Sequence, residues 1–146
     1  MSELQDIFDQ IVTIQAAITP PTGEKDIAMA TDEWPASISV FPAFVNNEVE
    51  TVIDREQYAS LRIEKHLIQM HLLFGAADVK YSQRSRRLWV EKVHAAFEAK
   101  LNLNGTCLKA TTTRTDYGVV EGISGNYVGA TFDLAVENKK PVTYAF

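Results

Sequence analysis

The sequence predicts an α+β fold: an antiparallel sheet of about four strands, with two amphipathic helices packed on one face and a long protruding loop. Three observations lead to this prediction. Two segments carry apolar residues at helical spacing, several others alternate apolar and polar residues as strands do, and no repeated strand–helix–strand unit is present. The length of 146 residues suits one domain over residues 1–146.

The first element is a predicted helix over residues 3–18. Pro20 and Pro21 end it, because proline cannot donate the hydrogen bond that another helical turn requires. One face of this helix is apolar, with Leu4, Ile7, Phe8, Ile11, Ile14 and Ile18 at helical spacing.

A short strand and a long loop are predicted next. Residues 34–41 alternate in part and are bounded by Pro35 and Pro42, which favours a short strand. Residues 43–60 are acidic and only weakly patterned, so the sequence predicts an extended loop there. Loops of this length inside a compact domain more often serve an interaction or a function than connection alone.

The middle of the chain predicts the longest strand and the second helix. Residues 62–74 alternate charged and apolar residues at their start and are apolar on both faces at their end, which is typical of a central strand. Residues 79–101 have helical periodicity, with Trp89, Val93 and Phe97 on the apolar face.

Two C-terminal strands complete the predicted sheet. Residues 107–115 are rich in threonine, which suits a half-exposed strand. Residues 127–137 alternate clearly, with every second side chain apolar from Val128 to Val136. Turns between the strands are predicted at Gly118, Gly122, Gly125 and Asn126.

The charge is divided along the chain. The net charge is −5, which disfavours binding to DNA through a broad basic surface. Residues 1–60 contain 11 acidic and 2 basic residues, a net of −9, whereas residues 61–146 have a net of +4. We expect the acidic loop of one copy to meet the basic second helix of the next. The candidate interface residues are Glu48, Glu50, Asp54 and Glu56 in the loop, and Arg84, Arg86 and Arg87 on the helix.

The sequence contains no recognisable catalytic or metal motif. His66 and His71 lie five residues apart on one strand and should point to opposite faces, so they do not form a metal pair. Cys107 is the sole cysteine and is expected to be a small buried residue rather than a nucleophile. We therefore predict no catalytic residue, no metal and no cofactor. The N-terminus lacks the features of a signal peptide and no stretch approaches ~18 apolar residues, so we expect a soluble protein of the cytoplasm.

Four segments in order resemble a known protein family. They are the strand end at 40–42 (VFP), the strand at 67–73 (LIQMHLL), the helix carrying Trp89, and the strand at 127–134 (YVGATFDL). Together with the N-terminal helix and the long loop, this arrangement resembles the small tail-terminator and head–tail joining proteins of long-tailed bacteriophages. The resemblance covers most of the chain, but its motifs are short.

The resemblance implies a structural virion protein of the tail and neck, made in the bacterial cytoplasm. Members of the family form a ring, usually a hexamer, that caps the tail tube and stops its growth. The implied partners are further copies of this chain, the tail-tube protein and the head–tail connector, with DNA only passing through the lumen and no membrane involved.

Three alternatives remain open at the level of sequence. One is another neck component, either a stopper or an adaptor. Another is a small-ligand or nucleotide-handling enzyme whose site is assembled from scattered residues such as Arg62, His71 and Asp133. The third is a general α+β domain that binds a protein partner.

Overall fold

The computed structural model describes residues 3–55, 61–75, 79–122 and 125–141. Two helices are present in this part of the chain, α1 (Leu4–Ala16) and α2 (Val79–Glu98). Both agree with the predicted helices, although each ends before the predicted limit. The strands are β1 (Met29–Thr31), β2 (Ala43–Arg55), β3 (Leu61–Phe74), β4 (Lys109–Gly122) and β5 (Gly125–Pro141).

The described strands form one sheet in the order β1-β2-β3-β5-β4. Strand β1 pairs in parallel with the start of β2, and every other neighbouring pair is antiparallel. The α+β class is therefore as predicted. The sheet is mixed and has five described strands, whereas about four antiparallel strands were expected.

Both helices pack on the same face of the sheet, which we call the helical face. Alternate residues of β3 and β5 point to this face and are buried there, because side chains along a strand alternate between its two sides. This confirms the alternation predicted for residues 127–137. The central residues of the core are Ile7, Ile11, Phe44, Ile68, Met70, Leu72, Trp89, Val93, Phe97, Phe132 and Leu134.

The prediction of a loop over residues 43–60 is wrong for residues 43–55. These residues form β2, which pairs with β3 along the whole length of β2. Residues 56–60 lie outside the described residues. From Glu48 to Asp54 every β2 side chain is exposed, so the segment shows no alternation of apolar and polar residues. A bulge between Glu48 and Glu50 also shifts the register by one residue. An exposed strand with a bulge has no clear period, which explains the wrong prediction.

The prediction of a strand over residues 34–41 is also wrong. This segment is irregular, and the strand in this region is the short β1 that precedes it. Trp34, Ile38 and Phe41 instead cover one end of the sheet face opposite the helices, which we call the open face. They pack there against a small apolar cluster of Val45, Leu73, Val120 and Tyr127.

The C-terminal strands are longer than predicted. Strand β4 begins at Lys109 rather than at residue 107 and continues to Gly122. Gly118, predicted as a turn, lies inside β4 opposite Gly129 and has a φ of +140°. Gly122 and Gly125 do flank the connection between β4 and β5, as predicted.

Candidate functional site

The basic residues of the predicted interface lie on the first half of α2. Arg84 and Arg87 are exposed and pair with no carboxylate among the described residues. Arg86 is half-buried, and its Nη1 donates a hydrogen bond to the Gly129 carbonyl oxygen at 3.3 Å. The Arg86 guanidinium also lies 5.2 Å from the centre of the Tyr117 ring. Arg86 therefore holds α2 against the sheet, and Arg84 and Arg87 remain available to a partner.

The acidic residues of the predicted interface lie on β2. Glu48 and Glu50 are exposed on either side of the bulge, and within the described chain neither forms an ion pair. The Asp54 carboxylate forms an ion pair with Lys65 Nζ at 3.0 Å. Glu56 lies outside the described residues.

The acidic and basic sets lie towards opposite ends of the strand order. Helix α2 packs on β5 and β4, at one end of the strand order, and β2 lies towards the other end. The two sets therefore cannot neutralise each other within one chain. Such an arrangement suits contact between different copies.

The open face contains a buried histidine near its covered end. The His71 ring is hydrogen-bonded on both sides, with Nδ1 2.9 Å from Thr131 Oγ1 and Nε2 2.6 Å from Asn47 Oδ1. The Trp34 ring lies 5.5 Å from it, centre to centre. Burial lowers the pKa of His71 to about 4, so the ring is neutral at neutral pH. A neutral ring with both nitrogens occupied is a structural element of the sheet.

This buried histidine makes stability depend on pH. The folded state keeps the His71 pKa at about 4, whereas the unfolded chain takes up a proton near the ordinary value of 6.5. The free energy of unfolding therefore keeps its full value above about pH 6.5 and falls as the pH drops towards 4. Between about pH 8 and pH 5, we expect the protonation of His71 in the unfolded chain to lower the free energy of unfolding by about 2 kcal/mol. Urea unfolding at both pH values should show that the free energy of unfolding falls less for His71→Gln than for the wild-type chain. An equal fall for the two chains would contradict the assignment of this pH dependence to His71.

The three residues of the enzyme alternative do not form one site. Arg62 lies on the helical face near the start of β3, and His71 lies on the open face near its end. Asp133 faces the open side opposite Gln69, two residues from the Thr131 that pairs with His71, so Asp133 and His71 are diagonal neighbours there. A depression of about 240 Å³ on the open face does not include Arg62, His71 or Asp133 in its lining. It is lined by Glu50, Val52, Lys65, His66, Leu67, Ala135, Val136 and Glu137.

A charged cluster on the helical face was missed by the sequence analysis. The Glu64 carboxylate is buried and lies 3.1 Å from Arg62 Nη2, 3.5 Å from Lys140 Nζ and 3.5 Å from His66 Nε2. Lys140 Nζ also lies 3.3 Å from a Glu3 carboxylate oxygen, which links the cluster to the start of α1. The available signal was the spacing of Arg62, Glu64 and His66, because alternate residues of a strand share one face.

His66 is the histidine of this cluster. Its Nδ1 lies 2.8 Å from the Thr51 hydroxyl of the neighbouring strand. Burial lowers the pKa of His66, although the nearby Glu64 carboxylate acts in the opposite direction. His66 and His71 point to opposite faces of β3, as predicted. The third histidine, His94, lies between the hydroxyls of Thr112 and Thr115 at 2.8 and 3.1 Å.

Further features of the described part of the chain concern metal binding, the cysteine thiol and membrane-spanning helices. No three His, Cys, Asp or Glu side chains there converge in a way that could hold a metal ion. Cys107 is half-buried, and burial raises the pKa of its thiol to about 11, so it is protonated at neutral pH. Neither described helix has the length and apolar content needed to cross a bilayer.

Comparison with known proteins adds no family assignment. No protein-family model matches this chain, and a search of curated proteins found no match.

Proposed function

We propose that this protein is a structural subunit of a ring in the neck of a long-tailed bacteriophage, of the tail-terminator type. In this proposal the ring caps the tail tube, ends its growth and presents a surface to the head connector. DNA passes through the lumen without specific recognition. The proposal starts from the resemblance of the sequence to that family.

One structural observation carries the proposal: acidic and basic residues that form no ion pair with any described residue lie towards opposite ends of the sheet in the same subunit. Glu48 and Glu50 lie on β2, and Arg84 and Arg87 lie on α2, which packs over β5 and β4 towards the other end of the strand order. Complementary surfaces on opposite sides produce head-to-tail contacts, and these close into a ring when the rotation between copies permits it.

The enzyme alternative has less support. Arg62 lies on the opposite face of the sheet from His71 and Asp133, and His71 has both ring nitrogens engaged. The buried Glu64 cluster is internally paired, which suits a role in stability. A general partner-binding domain would not require complementary surfaces on its two sides.

Light scattering and negative-stain imaging of the purified protein test the ring directly. We expect closed particles of uniform size, either alone or in the presence of the tail-tube protein of the same virus. Added during tube polymerisation, the protein should shorten the tubes and appear at their ends. A chain that stays monomeric and leaves tube length unchanged would contradict the proposal.

Charge reversal on α2 tests the observation that carries the proposal. We expect Arg87→Glu to weaken each subunit contact by about 1 kcal/mol, because an exposed ion pair is worth little but is replaced here by repulsion. The dependence of assembly on salt should fall at the same time. Lys100→Glu makes a similar change of charge at an exposed residue beyond the end of α2 and should leave assembly unchanged. Equal effects of Arg87→Glu and Lys100→Glu on assembly would contradict the assignment of Arg87 to the subunit contact.

A further inference from the structure

Strands β2 and β4 each have backbone groups that no described strand pairs with. No described strand lies beyond β4. On the other side, β1 covers only Ala43–Val45 of β2, which leaves residues 46–55 open. An open edge presents unpaired N–H and C=O groups and is a template for another strand.

Exposed apolar side chains are concentrated on these same two strands. Among the described residues, nine large apolar side chains are exposed, and five of them lie on β2 or β4. Tyr117 and Val119 on β4 are exposed by 54% and 66%. The three on β2 are Val49, Val52 and Ile53. Because apolar residues on an open edge favour pairing with another strand, these edges are suited to a partner.

The directions of the strands determine how a second copy can continue the sheet. Strands β2, β3, β5 and β4 alternate in direction across the sheet, so β2 and β4 run antiparallel to each other. A copy placed beside β4 in the same orientation therefore presents its β2 antiparallel to β4. Its helices then lie on the same side of the extended sheet.

The charges favour this pairing over the two symmetric ones. Glu48 points to the helical face, since it pairs with Ile68, and α2 packs on that face over β5 and β4. Joining β4 to the next β2 thus places Glu48 on the side of Arg84 and Arg87. Pairing β2 with β2 would bring acidic strands together, and pairing β4 with β4 would bring the basic helices together. Like charges across a contact disfavour both.

We propose that β4 of one subunit pairs antiparallel with residues 46–55 of the next subunit, so that one sheet runs continuously around the ring. The occupant of each edge is thus a second copy of this chain. The regular pairing segments are 50–55 and 114–122, because a bulge interrupts each strand before them. This inference rests on the proposed function and names the contact from which the ring is built.

Edge-blocking variants test the pairing. A lysine on an edge strand opposes the approach of a second strand, so Ile53→Lys on β2 and Val119→Lys on β4 should each weaken assembly by about tenfold or more. Val40→Lys and Leu101→Lys are matched controls, because these residues are 46% and 52% exposed and lie outside the strands. We expect both controls to assemble as the wild-type chain does. Circular dichroism confirms that each variant is folded.

Mixing the two blocked variants tests which edges meet. Each variant retains one intact edge, β4 in Ile53→Lys and β2 in Val119→Lys. We expect each variant to be monomeric alone and the mixture to form one-to-one dimers that grow no further. A blocked variant that dimerises by itself would overturn the head-to-tail pairing, because it would show contact between like edges.

Amide hydrogen exchange of the wild-type chain gives a readout that needs no variant. Assembly should slow exchange on the outer sides of β2 and β4, since a new strand pair protects their free N–H groups. Closed rings without this protection, or rings formed equally well by the edge variants, would overturn the pairing and leave the ring intact. Open polymers that the edge variants abolish would support the pairing and overturn the closed ring. A chain that never assembles would overturn both.

Discussion

Replacing Glu64 with glutamine should lower the free energy of unfolding by about 3 kcal/mol, because it removes the anion between two cations in a buried cluster. The Glu64 side chain is 7% exposed, and Arg62 and Lys140 both lie within 3.5 Å of its oxygens. Glutamine keeps the shape of the side chain, so the loss reports the charge rather than a cavity. Urea denaturation with the variant and the wild-type chain at pH 7 measures the difference.

A matched control is available on the neighbouring strand. Asp54 pairs with Lys65 at 3.0 Å, but both side chains are half-exposed. We expect Asp54→Asn to cost only about 0.2–1 kcal/mol, because water screens an exposed pair. Equal losses for Glu64→Gln and Asp54→Asn would contradict the view that burial gives the Glu64 cluster its importance.

Replacing Trp89 with alanine should cost about 3–5 kcal/mol, the largest single effect we expect from the apolar core. Trp89 is fully buried where α2 packs on the sheet, and its removal leaves a cavity in the main core. The adjacent Leu88 is 41% exposed, so Leu88→Ala should change stability far less. Thermal or urea unfolding of both variants tests the comparison.

A second variant separates the polar and apolar parts of the Trp89 side chain. Its indole Nε1 is buried and has no hydrogen-bond partner in the described part of the chain. Trp89→Phe removes this unpaired donor and retains most of the apolar bulk, so its loss should be well below that of the alanine variant. A loss as large as that of Trp89→Ala would indicate that the indole nitrogen is essential.

These experiments also separate stability from assembly. Trp89 and Glu64 lie inside the subunit, whereas Arg87, Ile53 and Val119 lie on its surface. Substitutions in the first group should lower the unfolding temperature of the single subunit. Substitutions in the second group should alter the oligomeric state and leave that temperature nearly unchanged.

The elements with a buried and an exposed side were predicted from sequence. The helical period between Ile7 and Ile14 and the alternation from Val128 to Val136 each match a segment that is covered by the core on one side. In such segments the physical cause of the pattern, burial of one face, is local to the element. The separation of His66 and His71 onto opposite faces followed in the same way from the two-residue period of a strand.

Edge strand β2 and the polar clusters could not be predicted in this way. The exposed stretch from Glu48 to Asp54 has no covering layer, so nothing in its own pattern distinguishes a strand from a loop. The Glu64 cluster joins β3 to Lys140 at the far end of the chain, and His71 reaches across to Asn47 and Thr131. Contacts between residues so distant in sequence depend on the order of strands in the sheet.

By itself, the sequence determined the two helices, the central strand, the strand that follows Tyr127 and the division of charge along the chain. Only the tertiary structure decided that the acidic segment is a strand with an open edge and that the acidic and basic residues lie towards opposite ends of the sheet. The physical reason is that hydrophobic periodicity reports whether one face of an element is buried. It carries no information about which strand lies next to it or which edge of the sheet stays open.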